Sequence, residues 1–144
     1  MKPHGSKFEY EQERNDDLMR AYHELIEAAP YICLTNIYRE VVNMPSARFW
    51  VSEERAAIVI AAMMKGDQLQ GMRPNKREMF NEIYRRVMIL KKEKPTLSIF
   101  ELAFQVVRQA APKFYLTPGS AEVIIYRAKK KWYEQRKRKL RHLF

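Results

Sequence analysis

A turn and the start of a helix are encoded by Lys113-Phe114-Tyr115-Leu116-Thr117-Pro118-Gly119-Ser120-Ala121. The stretch repeats, with an offset of 65 positions, the earlier Arg48-Phe49-Trp50-Val51-Ser52-Glu53-Glu54-Arg55-Ala56. Each copy has a basic residue, two aromatic residues, an aliphatic residue and a hydroxyl, and each continues into a β-branched triplet. Two unrelated amphipathic helices would share the apolar spacing but not the aromatic turn. The pattern therefore indicates one unit used twice.

Both copies have the chemistry of a helix N-terminus. Ser52 and Thr117 are N-cap residues, whose side-chain oxygens accept hydrogen bonds from the first free backbone N–H groups. Pro118 suits the first helical position, where a missing N–H costs nothing. The aliphatic residues that follow recur at helical spacing and predict one buried face in each copy, formed by Ala56, Val59 and Ile60 and by Ala121, Ile124 and Ile125.

The rest of the chain predicts an all-α fold. Only 4 glycines and 7 prolines occur in 144 residues, and no series of alternating strands is visible. Six helices are predicted, with caps at Asn15 or Asp16, Thr35, Ser52, Asn75, Ser98 and Thr117.

The repeat and the loops predict the domain organisation. We expect two related three-helix units that share a core, followed by a long basic C-terminal helix. The predicted boundaries are a flexible N-terminal tail at 1–15, a first unit at 16–66, a loop at 67–75, a second unit at 76–128 and a basic helical extension at 129–144.

Composition excludes several classes of protein. The longest apolar run, Ala56 to Met64, is shorter than the roughly 20 residues needed to span a bilayer, and the N-terminus lacks the apolar region of a secretory signal. The single cysteine, Cys33, cannot form an internal disulfide, and we expect a buried structural residue. These features predict a soluble cytoplasmic protein.

Catalytic and metal-binding patterns are not found in the sequence. His4, His23 and His142 are scattered without metal-ligand spacing, and there is no P-loop, HExxH or GxSxG motif. We therefore expect a protein that is not an enzyme and that uses no cofactor or metal.

Positive charge is concentrated at the C-terminus. The chain has a formal net charge of +10, and the segment 127–144 carries nine lysines and arginines against a single acid, Glu134. Such a helix can neutralise phosphates and release counterions, which gives affinity for nucleic acid without sequence specificity. A solvated helix end or a tail for an acidic partner would have the same composition. The apolar stripe on the helix is too interrupted to favour a membrane surface.

The two units, with their aromatic turns, resemble the helix-turn-helix class of DNA-binding modules over about residues 16–64 and 76–131. The resemblance implies that a third helix enters the major groove. The segments 44–51 and 110–116 are longer than the tight turn of that class. In the first copy Glu53 and Glu54 would repel phosphate, so we expect that copy to serve as scaffold or partner surface.

The sequence therefore predicts a non-enzymatic protein that binds double-stranded DNA, as a regulator or as an accessory factor of replication, recombination or packaging. The alternative is a structural assembly protein of a phage or ribonucleoprotein particle, whose basic helix docks a partner or RNA. A homo-oligomer or protein partner would use Leu140, Leu143 and Phe144. The predicted nucleic-acid contacts are Lys113, Thr117, Gly119, Ser120, Arg127, Lys129, Lys130, Lys131, Arg136, Lys137 and Arg138.

Overall fold

The computed structural model describes the backbone of residues 4–29, 31 and 34–143, and the side chains of residues 10–29, 31 and 36–142. This part of the chain folds into six helices without a strand ladder, which confirms the all-α class. The helices are α1 (His4–Ala28), α2 (Leu34–Val41), α3 (Glu53–Met64), α4 (Pro74–Glu93), α5 (Ile99–Val107) and α6 (Pro118–Leu143).

Helix boundaries recur with the same 65-residue offset as the sequence pattern. The offset carries the end of α1 at Ala28 onto the end of α4 at Glu93, and the start of α2 at Leu34 onto the start of α5 at Ile99. It also carries the start of α3 onto the start of α6. The caps repeat as well. Ser52 Oγ accepts from Arg55 N at 3.1 Å, and Thr117 Oγ1 accepts from Ser120 N at 3.1 Å.

The helices pack in two compact units that differ from the boundaries predicted from the sequence. The central unit is Pro45–Tyr115 and contains α3, α4 and α5. The terminal unit is Met1–Met44 with Leu116–Phe144 and contains α1, α2 and α6. Each unit therefore combines the first two helices of one copy with the third helix of the other copy. The long connections after α2 and α5 explain this, because an extended segment can carry the third helix away from the pair that precedes it.

The connections are anchored within the central unit. Ser46 and Ala111, which are equivalent positions of the repeat, exchange backbone hydrogen bonds of 3.0 and 3.1 Å in an isolated antiparallel bridge. Phe49 N donates to Val107 O at 3.0 Å, and the Phe49 ring is fully buried. The guanidinium of Arg86 lies 4.9 Å from the centre of that ring. The aromatic turn is thus part of the core rather than an exposed loop.

Two carboxylates of the central unit each bind two arginines. Glu53 pairs with Arg48 at 3.6 Å and with Arg108 at 3.1 Å. Partial burial opposes ionisation of Glu53, but hydrogen bonds from the backbone and from Arg108 outweigh it and hold its pKa below the usual range. Glu82 accepts from Arg85 and Arg86, each at 2.7 Å. The hydrogen bond from Arg85 is the largest cause that lowers the pKa of Glu82 to about 2, despite partial burial.

Some predicted details of the helices are wrong. The predicted flexible tail is helical from His4 onward, since the Glu- and Gln-rich stretch that follows Gly5 contains good helix formers and no proline. The predicted cap at Asn75 is displaced, because Pro74 takes the first position of α4 and Arg73 becomes the N-cap.

The predicted buried face of α6 is displaced as well. Ile125 and Ala121 are fully buried, whereas Ile124 is only half-buried. The side chain of Cys33 lies outside the described residues.

Candidate nucleic-acid interface

Thr117 precedes the first residue of α6 and is its N-cap. Its hydroxyl donates to Ser120 Oγ at 3.0 Å and accepts from Ser120 N at 3.1 Å. Pro118 opens the helix, and Gly119 follows without a positive φ. A Cβ added at Gly119 would meet no atom within 4 Å. These four residues are exposed, so the predicted contacts Thr117, Gly119 and Ser120 lie together on a solvated helix N-terminus.

The next turns of α6 pack within the terminal unit. Ala121 and Ile125 are fully buried, as are Leu18 and Ala21 of α1. Lys129 belongs to this packing. Its Nζ donates to the hydroxyl of Tyr22 and lies 4.5 Å from the centre of the Tyr22 ring. The predicted contact Lys129 therefore has a structural partner.

Tyr22 joins Lys129 to α2. Its ring is 2% exposed and stacks on Tyr38 with the centroids 6.5 Å apart. Burial, together with the neighbouring Tyr22, raises the pKa of Tyr38 above its usual value, although the charge of Lys129 acts in the opposite direction. The phenol of Tyr38 therefore remains neutral near neutral pH.

The remaining predicted cations of α6 are exposed. A helix turns by about 100° per residue, which places Arg127, Lys130, Lys137 and Arg138 on the side opposite Ala121 and Ile125. Lys131 and Arg136 are exposed on other sides of the helix. All six of these predicted contacts are thus accessible on one element.

Lys113 is not part of this set. It belongs to the central unit, where its ammonium group forms an ion pair with Glu78 and lies 5.6 Å from the centre of the Tyr115 ring. Its charge is already paired within the protein.

The second half of α6, residues 130–142, is exposed to solvent. Every side chain from Lys130 to His142 is exposed, including Trp132 at 51% and Leu140 at 48%. Arg136 covers the Trp132 ring at 5.2 Å, and Tyr133 packs edge-on against Trp132 at 5.0 Å between centroids. The side chain of Leu143 and the whole of Phe144, the other predicted partner contacts, lie outside the described residues.

A groove of about 810 Å³ separates part of α1 from α6 in the terminal unit. Acidic Glu11 and Asp16 of α1 line it together with Lys131 and Trp132 of α6. Arg14 of α1 and Arg127 and Lys129 of α6 line the groove as well, so its lining contains charges of both signs.

Two exposed residues of α6 were not predicted from the sequence. Val123 is 46% exposed and Tyr126 is 64% exposed, on the same side of α6 as Arg127 and Lys130. Ile58, the equivalent of Val123 in the first copy, is 63% exposed. The β-branched triplets at 58–60 and 123–125 already indicated an exposed apolar residue in each copy. Three consecutive residues of a helix cannot all face one core.

Other kinds of site are not apparent in the described residues. They contain no cluster of three or more His, Cys, Asp or Glu side chains that could hold a metal ion. Among the helices that the structure describes, none combines the length and apolarity needed to cross a membrane.

Comparison with known protein families, curated proteins and solved structures finds no match for this chain.

Proposed function

We propose that the chain binds double-stranded DNA without catalysing a reaction, as a small regulator or as an accessory factor of replication, recombination or packaging. The observation that carries the proposal is the exposed second half of α6, residues 130–142. It presents Lys130, Lys137, Arg138 and Arg141 to solvent, and Glu134 is the only acid in that half.

Phosphate contacts supply the affinity. The exposed stretch 130–142 is about 20 Å long at 1.5 Å per residue, which is enough to follow the DNA backbone over several phosphates. Cations surround this part of the helix, so they can meet phosphates on both flanks of a groove that admits an α-helix. The exposed lysines and arginines replace the counterions that are condensed on the DNA phosphates, and the release of these ions drives binding.

We assign the contacts to DNA bases to the first turns of α6. Thr117, Gly119 and Ser120 are small and exposed, and the fold makes no demand for glycine at position 119. The missing side chain there permits close approach of the backbone to DNA. Ser120, Val123 and Arg127 share one side of the helix, where a hydroxyl, an aliphatic group and a guanidinium can meet base edges or a thymine methyl.

Two predicted contacts receive a different role. Lys129 donates a hydrogen bond to Tyr22 and Lys113 pairs with Glu78, so both ammonium groups already have a partner within the chain. We assign both to the stability of their own units.

Neutralisation of exposed lysines and arginines tests the proposal. The variant Lys130→Gln/Lys137→Gln/Arg138→Gln should bind a random duplex roughly tenfold or more weakly at low salt, since it lacks three phosphate contacts. The matched control is Arg39→Gln/Lys65→Gln/Lys92→Gln, which removes the same charge at exposed positions outside α6. Fluorescence anisotropy with a labelled duplex measures both variants. Equal losses in the two variants would reduce the effect to net charge and contradict a dedicated α6 contact.

A structural assembly role is the second candidate, and exposed Leu140 and Trp132 favour it. A phage or ribonucleoprotein component would cover these residues with a protein partner, with RNA or with a second copy of the chain. Leu140→Asp should then abolish association in sedimentation experiments. A DNA-binding protein should retain most of its duplex affinity after this change.

A further inference from the structure

A pocket of about 530 Å³ lies in the central unit, beside the start of α4. Arg55 of α3 and Arg73 and Lys76 at the start of α4 line it. The connecting loop lines the rest, with Leu69, Met72 and a single acid, Asp67, among its residues.

None of the three cations of this pocket has an acidic partner among the described residues. Arg55, Arg73 and Lys76 form no ion pair within 4.0 Å with any acid in the part of the chain that the structure describes. Asp67 instead holds the loop, because its Oδ1 accepts from Leu69 N at 2.8 Å. Elsewhere in this unit the cations that converge are paired, as Arg48 and Arg108 are with Glu53.

The start of α4 adds positive potential to the same place. Arg73, its N-cap, makes no side-chain cap hydrogen bond, and the first turn contains no acid. Pro74 has no N–H, and the N–H groups of Asn75 and Lys76 have no acceptor inside the helix. Cations beside the positive end of a helix dipole repel it, and a bound anion would offset that repulsion.

The loop is held in shape by its own hydrogen bonds. Leu69 is buried with a φ of 56°, and its carbonyl accepts from Met72 N at 3.1 Å. Arg77 Nη2 donates to Met72 O at 3.0 Å, while its buried Nε has no hydrogen-bond partner among the described residues. The wall of the pocket is therefore preformed.

We propose that this pocket binds a phosphate monoester, held by Arg55, Arg73 and Lys76 at the N-terminus of α4. The formal charge of the three cations and Asp67 is +2, which matches a phosphate dianion. Guanidinium groups bind phosphate oxygens in pairs, and the free N–H of Lys76 can donate a further hydrogen bond. A mononucleotide and the 5′ end of a nucleic-acid strand both present this group. The site is independent of the α6 contact, which belongs to the terminal unit.

The test is a titration of the full chain with inorganic phosphate at constant ionic strength, followed by amide chemical shifts. We expect saturable shifts confined to residues 55 and 67–77, and a loss of affinity of roughly tenfold or more in Arg73→Gln/Lys76→Gln. Lys92→Gln, at the opposite end of α4, is the matched control and should bind like the parent. Shifts that fail to saturate, or that persist in the double variant, would overturn the proposal.

A second arm identifies the source of the phosphate. It uses the α6 variant Lys130→Gln/Lys137→Gln/Arg138→Gln, so that DNA binding by the terminal unit is reduced. Adenosine monophosphate and a short single strand with a 5′ phosphate are each compared with their unphosphorylated forms. Shifts at 67–77 that depend on the phosphate support the site, and the tighter ligand of the two names its source. Identical shifts with and without the phosphate would refute it, whatever the result of the duplex experiments.

Discussion

At the scale of single residues, adjacent lysines of α6 have different environments. Lys129 is half-buried and contacts Tyr22, whereas Lys130 is exposed. Composition counts the two charges equally, but an ammonium group that is held by a buried phenol offers little to a phosphate. The same reasoning separates Lys113, paired with Glu78, from the free cations.

A pair of substitutions checks this distinction. Lys129→Gln should lower the free energy of unfolding by roughly 1 kcal/mol, because it removes a hydrogen bond and a cation–π contact at a part-buried site. Lys130→Gln should leave stability unchanged and weaken duplex binding. Thermal unfolding and anisotropy on both proteins measure the two effects, and the reverse assignment of effects would contradict the structure.

Glu82 makes the stability of the fold depend on pH under acidic conditions. Its pKa of about 2 in the folded chain lies below its ordinary value of 4.5, through the hydrogen bonds from Arg85 and Arg86. A lowered folded pKa means that the stabilisation is present above pH 4.5 and is lost as the pH falls toward 2. Glu82→Gln should therefore cost up to about 1 kcal/mol at neutral pH and progressively less below pH 4.5. Urea unfolding of both proteins from pH 7 to pH 2.5 measures the difference, and a constant difference would exclude this origin.

At the scale of the element, the start of α6 combines a helix N-cap with the proposed contacts to DNA bases. Ser120 is the third residue of the helix, where a glutamate opposite a threonine cap completes a capping box. A substitution there can therefore strengthen the helix and still block DNA.

Ser120→Glu should keep or raise the melting temperature while it weakens duplex binding by roughly tenfold, since a carboxylate would face the phosphates. Ser120→Gln is the matched control, because it can form the same capping box without the charge. Equal binding by the Glu and Gln variants would remove Ser120 from the interface.

Helix positions were largely predictable because caps and periodicity are local. Ser52, Ser98 and Thr117 each hold the N–H three residues ahead, as their types and spacing predicted. The start of α1 was missed, because a charged stretch without apolar periodicity resembles a tail even where its residues favour helix. Asn75 was a reasonable cap in isolation, but Pro74 already fixed the first turn.

At the scale of the whole molecule, the exchange of third helices was beyond local reasoning. α3 and α6 present similar small and aliphatic faces, with Ala56 and Ile60 fully buried in one and Ala121 and Ile125 in the other. Repetition makes either helix a plausible partner for either preceding pair. The sequence indicated that a unit was used twice, but it contained no local signal for which helices would pack together.

Two fragments of the chain test the exchange of third helices between the copies. A fragment of residues 45–115 should fold cooperatively on its own, because its core cluster lies entirely within 49–111. A fragment of residues 16–66 should stay unfolded, because α3 would lack α4 and α5. Circular dichroism during heating distinguishes the two, and a cooperative transition in the second fragment alone would contradict the packing.

The central claim is that the exposed second half of α6, residues 130–142, supplies the phosphate contacts. The salt dependence of duplex binding tests this claim most directly. The full chain is compared with a version that ends at Lys129, which preserves the contact with Tyr22. If about six cations contact phosphates, the logarithm of the binding constant should fall with a slope of roughly −5 against the logarithm of salt concentration. The shortened chain should bind weakly, with a slope of roughly −1 or shallower. Two equal slopes, with both proteins folded, would contradict the assignment of DNA binding to α6.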